Sequence, residues 1–189
     1  MYAVIFLVDK NCISTINHIR FDPTKPSYEV IEIEDIAHAL SYITRANGHF
    51  NKFFSVARHC INCAEEAKMR GYGERVQLLC LLHDAAEAYI GDMTRPLKLR
   101  IPEFSKIEKE YQNIIFSKYL GELTQEEIRL TREIDDAMLY NEFLRYNGEK
   151  LLEYEPKIHI DLDATVKSID ETKAEFSAKF NELFGAVKG

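Results

Sequence analysis

Beyond about residue 33, apolar residues recur at intervals of three and four rather than alternating, which predicts a mainly α-helical body. Asp35 is placed to cap a short helix through Ile36, Leu40 and Ile43, which ends near Asn47-Gly48. Phe53, Val56, Ala57, Cys60, Ile61, Ala64 and Ala67 mark a longer helix closed by Gly71-Tyr72-Gly73. Val76 to Tyr89 is apolar almost all round, as a central buried helix should be. Pro96 and Pro102 forbid a continuous helix between Gly91 and Pro102, so a loop of roughly twelve residues is expected there. Further helices follow over 103–120, from the capping box Thr124-Gln-Glu-Glu127 to about Tyr146, and from Thr165 to Phe184.

Residues 1–33 read differently. Tyr2–Val8 and Cys12–Ile19 are short and β-favouring, and the turn-like Asp9-Lys10-Asn11 separates them. We expect an N-terminal β-hairpin extension over 1–33 and one helical domain over 34–189.

Charge narrows the function. Thirty-one Asp and Glu against 24 Lys and Arg give a net charge of −7, which repels nucleic-acid polymers and anionic lipid. A phosphorylated substrate is therefore expected to be small. The apolar run Tyr2–Val8 is too short to span a membrane, so the chain reads as cytoplasmic. Cys60 and Cys63 form a lone CxxC without a second pair, a weak signal, and the four cysteines read as reduced, mostly core thiols.

Candidate chemistry lies in the apolar 76–89 segment, which carries His83-Asp84. A buried carboxylate is costly unless it is paired or coordinates a metal. His59 upstream and Asp136 or Asp135 downstream lie on neighbouring helices and offer further ligands, a mixed N/O set suited to a divalent transition metal. Glu87 falls three residues after Asp84 and four after His83, on the same helix face.

The ordered set His59, His83-Asp84, Asp136 resembles the H…HD…D motif of the HD-domain phosphohydrolases over roughly residues 35–145. The run His83-Asp84-Ala-Ala-Glu87, continuing to Gly91-Asp92, Pro96 and Lys98, looks closest to their bacterial 5′-deoxynucleotidase branch. The resemblance implies a helical bundle, the metal ligands His59, His83, Asp84 and Asp136, and catalytic Glu87 and Asp92 acting on the attacking water. Asp136 is preferred to Asp135 because a small residue and then an apolar one follow it, Ala137 and Met138. Arg45, fourteen residues before His59, matches a substrate-contacting arginine of that branch. The aromatic that follows it there is Ala46 here, so His49 or Phe50 is expected to take that part, with Lys98 as a second cation at the phosphate.

The expected activity is release of phosphate from nucleoside 5′-monophosphates, deoxynucleotides favoured, with one metal ion per chain. Ligand type does not separate Mn, Co, Fe, Ni and Zn. The alternatives are an alarmone-type pyrophosphohydrolase, disfavoured by Ala88 where a second acid is usual, and an inactive metal- or nucleotide-binding regulatory module. A homodimer is left open.

Overall fold

The computed structural model describes residues 10–162 and 166–189. Eight α-helices make up most of it: α1 (Ile33–Tyr42), α2 (Val56–Met69), α3 (Glu74–Leu82), α4 (Glu87–Ile90), α5 (Arg95–Lys98), α6 (Pro102–Tyr119), α7 (Gln125–Asn147) and α8 (Ile169–Lys188).

Local sequence accounts for the helix ends. The Ser55 hydroxyl accepts the Arg58 amide and starts α2. Capping boxes open α7, between Thr124 and Glu127, and α8, between Ser168 and Glu171. Gly148 closes α7 at φ 72°, a conformation that favours glycine. Some expected boundaries move. α1 begins at Ile33, ahead of Asp35, whose buried carboxylate accepts the Asn17 amide at 3.2 Å instead of capping the helix. The loop between Gly91 and Pro102 contains the short α5. The last helix starts at Ile169 rather than Thr165, which lies outside the described residues.

The central helix α3 is buried at Val76 and from Leu78 through Leu82, and it packs against α2, α6, α7 and α8. Ile36 and Leu40 of α1, Ile61 of α2, Ile115 of α6, Met138 of α7 and Phe176 of α8 complete the core around it. An all-apolar helix needs neighbours on every side, and this bundle supplies them.

α3 is shorter than the expected 76–89 helix. From His83 to Ala86 the chain tightens into turns, with Ala85 N donating to Leu82 O at 3.0 Å and Glu87 N to Asp84 O at 3.0 Å. In a continuous α-helix Ala86 N would donate to Leu82 O. Here the Gln112 side chain of α6 stands between them, donating to Leu82 O at 2.8 Å and accepting from Ala86 N at 3.3 Å.

The hairpin also differs from expectation. β1 (Ile13–Ser14) pairs antiparallel with β2 (Arg20–Phe21), Ile13 opposite Phe21. The strand expected over Tyr2–Val8 lies outside the described residues. Cys12–Ile19, expected as one strand, turns back on itself with His18 at φ 62°. Buried Phe21 meets Tyr89 edge-on at 5.5 Å, and Tyr89 stacks on Tyr111 at 5.0 Å, which seats the hairpin on the helices.

Candidate metal centre and cleft

Four donor atoms converge where α2, the His83–Ala86 turn and α7 meet. His59 Nε2 lies 3.2 Å from His83 Nε2, 3.1 Å from Asp135 Oδ1 and 3.8 Å from Asp84 Oδ2. His83 Nε2 lies 3.4 Å from Asp84 Oδ2 and 3.5 Å from Asp135 Oδ1. Ligands about 2.1 Å from a shared ion sit about 3.0 to 3.4 Å apart, so these spacings suit a metal with only small adjustments.

Each imidazole is fixed from behind. His59 Nδ1 lies 2.9 and 3.0 Å from the two oxygens of Glu142, and His83 Nδ1 lies 2.7 Å from the Cys80 carbonyl. Both partners are acceptors, so the Nδ1 atoms donate and Nε2 is in each case the nitrogen that faces the centre.

The carboxylate that the fold brings to this cluster is Asp135; the expected Asp136 lies away from it. On α7 the buried positions Thr131, Ile134, Met138 and Glu142 define the inward stripe, and Asp135 borders it, four residues after Thr131 and three before Met138. Asp136 is one residue, or about 100°, further round. Its side chain is 62% exposed and meets Arg95 at 3.4 Å.

Arg45 arrives by a different route. Thr44 and Ser55 form an isolated antiparallel bridge, Arg45 N donates to Phe54 O at 2.9 Å and Val56 N to Ile43 O at 3.0 Å, so the Arg45 turn is laced to the start of α2. The guanidinium is largely buried between Asp84 Oδ2, at 3.2 Å, and Glu142 Oε2, at 3.6 Å. It is held by carboxylates beside the four donors rather than standing on the surface.

Charge at the centre is unbalanced. Asp84, Asp135, Glu87, Asp92 and Glu142 stand within electrostatic reach of one another's neighbours, against the permanent cations Arg45 and Lys98. Burial works against protonating His83, but the adjacent Asp84 carboxylate holds its pKa well above the usual range. Burial and Arg45 likewise oppose a charge on His59, and Glu142 and Asp135 outweigh them. Burial also works against ionising Asp135, yet hydrogen bonds from His59 and His83 hold it well below the usual carboxylate range. The site calls for added positive charge, which a divalent ion on an N/O donor set provides.

Cys60 and Cys63 lie close by, but they fit a ligand role less well. Cys63 Sγ is 3.6 Å from His59 Nε2 and 4.0 Å from Nδ1, so it packs beside the ring rather than ahead of the Nε2 lone pair. Burial raises the Cys60 thiol to about 11 and Cys63 further.

Three of the donors, His83, Asp84 and Asp135, open on a cleft of ≈840 Å³ that is also lined by Glu87, Lys98 and Gln112 and continues past Leu79, Phe116, Leu123 and Ile128, while His59 is fully buried behind them. A pocket of ≈70 Å³ beside Arg58 and Lys167 contains none of the donors. Glu87 is buried at the cleft wall, with Oε1 3.5 Å from Lys98 Nζ and no hydrogen-bond partner for Oε2 among the described residues. Burial and the Asp84 and Asp92 charges hold its carboxyl well above the usual range. Lys98 also meets Glu108 at 2.5 Å. Asp92 is half-buried and does not line the cleft, and burial raises its pKa.

Three expected substrate contacts do not line the cleft: Arg45, although 3.2 Å from Asp84, is not part of its wall, and two others lie elsewhere. His49 is exposed on the turn after Arg45. Phe50 is buried among Phe54, Phe143 and Tyr146, where packing leaves no face for a base. Conversely, Glu142 and Gln112 were not anticipated. Glu142 falls seven residues, two helical turns, after Asp135, which is a legible signal. Gln112 carries none, because its partners lie about 30 residues away in sequence.

Comparison with known proteins agrees with the geometry. Residues 47–183 match the family model described as HD domain. The chain is 36% identical over 102 residues to the uncharacterized protein YfdR of Escherichia coli, covering 54% of this chain and 53% of that protein. It is 45% identical over 87 residues to an uncharacterized protein of Rhodobacter capsulatus, covering 43% of this chain and 44% of that one. The chain thus spans about half the length of the curated relatives it matches. With a family match over most of its length and the paired imidazoles and carboxylates on the expected elements, this chain belongs to the HD-domain family.

Proposed function

We propose that this protein is a metal-dependent phosphohydrolase that releases phosphate from nucleoside 5′-monophosphates, deoxynucleotides favoured, using one divalent transition-metal ion held by His59, His83, Asp84 and Asp135. The observation that carries this reading is the convergence of two Nε2 atoms and two carboxylate oxygens at one end of an open cleft, five of their separations being 3.1, 3.2, 3.4, 3.5 and 3.8 Å. When bound there, the ion supplies Lewis acidity that polarises a phosphoryl group and acidifies water.

The chain's own groups do the rest. Glu87, with Oε2 unengaged by the described residues, orients the attacking water and accepts its proton. Arg45, 3.2 Å from Asp84 but not itself part of the cleft wall, is close enough to the donors to offset the charge of a bound phosphate, and Lys98 lines the cleft. Leu79, Phe116 and Ile128 supply apolar surface for a nucleoside further along. The preference for nucleotides rests on this cleft and on the resemblance of the His83 to Lys98 run to the 5′-deoxynucleotidase branch.

The test is phosphate release from a panel of deoxy- and ribonucleoside 5′-monophosphates and p-nitrophenyl phosphate, with Mn²⁺, Co²⁺ or Zn²⁺ and with chelator. Metal-dependent release that favours nucleotides is the expected result. No metal-dependent release from any member overturns the hydrolase reading. Equal release from every monoester overturns the nucleotide part alone.

A further inference from the structure

We infer that Glu142 is a positioning residue shared by His59 and Arg45: it sets the tautomer of the imidazole and takes up part of the guanidinium charge that would otherwise fall wholly on the Asp84 oxygen facing the metal centre. The inference rests on the metal-centre reading above.

Glu142 is fully buried on α7 and has two partners at the site. Its oxygens lie 2.9 and 3.0 Å from His59 Nδ1, and Oε2 also lies 3.6 Å from Arg45 Nη2. A carboxylate accepts here, so Nδ1 is committed to donating and Nε2 is the nitrogen left to face His83, Asp135 and a metal. One carboxylate therefore selects which nitrogen of His59 is available as a ligand.

The second role follows from Arg45. Its Nη1 reaches Asp84 Oδ2 at 3.2 Å, the same oxygen that lies 3.4 Å from His83 Nε2. Guanidinium and metal therefore draw on one oxygen. Among the described residues, Asp84 and Glu142 are the two carboxylates within 4 Å of the guanidinium. With the Glu142 charge removed, Arg45 keeps Asp84 as its one close counter-charge and competes with the ion for it.

Substitutions separate the two roles. In Glu142→Gln the amide oxygen still accepts from Nδ1, but the charge facing Arg45 is gone. Mn²⁺ affinity, read from the EPR signal of free Mn²⁺, should fall about 10- to 100-fold. Adding Arg45→Gln should restore most of it, a non-additive pair. Glu142→Leu removes the acceptor as well, and Arg45→Gln should not rescue it. In zinc-loaded wild type, ¹⁵N NMR should show His59 protonated at Nδ1 and coordinated through Nε2, a readout independent of whether any variant folds.

Wild-type affinity in Glu142→Gln, or coordination of His59 through Nδ1, overturns the positioning role while leaving the metal centre standing. Failure of wild type to bind Mn²⁺ or Zn²⁺ overturns the metal-centre reading itself.

Discussion

His59 Nε2 lies 3.1 Å from Asp135 Oδ1, although the two residues are 76 positions apart in sequence, while the neighbouring Asp136 points outward to Arg95. This one-residue difference decides which carboxylate stands beside the imidazoles. Asp135→Asn should lose the bound metal by elemental analysis, and Asp136→Asn should retain about one ion per chain. The reverse pattern would move the centre to the other face of α7.

Glu87 is held by Lys98 through one oxygen and leaves the other unengaged at the cleft wall. Glu87→Gln should keep the metal and reduce kcat by roughly 10²-fold, the scale of a lost acid–base group. Undiminished kcat with chemistry rate-limiting would pass the role to another group.

Arg45→Ala should act on the fold as well as on substrate. It leaves the fully buried Glu142 with His59 as its remaining close partner, and breaking a buried ion pair typically costs about 3–5 kcal/mol. Thermal unfolding of the metal-free protein should therefore shift down clearly, as a surface arginine's loss would not do. In the same variant KM should rise by similar factors for different nucleobases, because a phosphate contact carries no base information. A loss confined to one base would make Arg45 a base reader.

Glu175 ties α8 to α2 through Arg58, at 3.0 and 2.6 Å, and also meets Lys167 at 2.8 Å. Although burial opposes its charge, the Arg58 and Lys167 hydrogen bonds lower its pKa to about 2. A carboxyl whose folded pKa is depressed contributes stability above its unfolded value near 4.5, and that contribution fades as pH falls through about 2. Allowing for its partial exposure, Glu175→Gln should cost about 0.5–1 kcal/mol at neutral pH. Denaturant melts of variant and wild type should converge between pH 4.5 and 2; a gap that persists at pH 2 would assign the effect to packing.

What the sequence determined by itself is local. Helix periodicity, the Thr124 capping box and Gly148 are written in neighbouring residues, and so α7 is legible nearly to the residue. His59, His83 and Asp84 stand out because polar groups on apolar helices need partners. Tertiary structure decided what depends on distant chain. The rotation of α7 in the bundle selects Asp135 over Asp136, since both satisfy the same local pattern. The 76–89 helix breaks at His83 because Gln112, from another helix, stands between two of its backbone partners. Arg45 is buried through its backbone bond to Phe54, beside the Thr44–Ser55 bridge, and through two carboxylates from separate elements, partners that its own neighbours do not specify. Propensity and capping act over a few residues, whereas the pairing of buried charge is settled only when the helices meet.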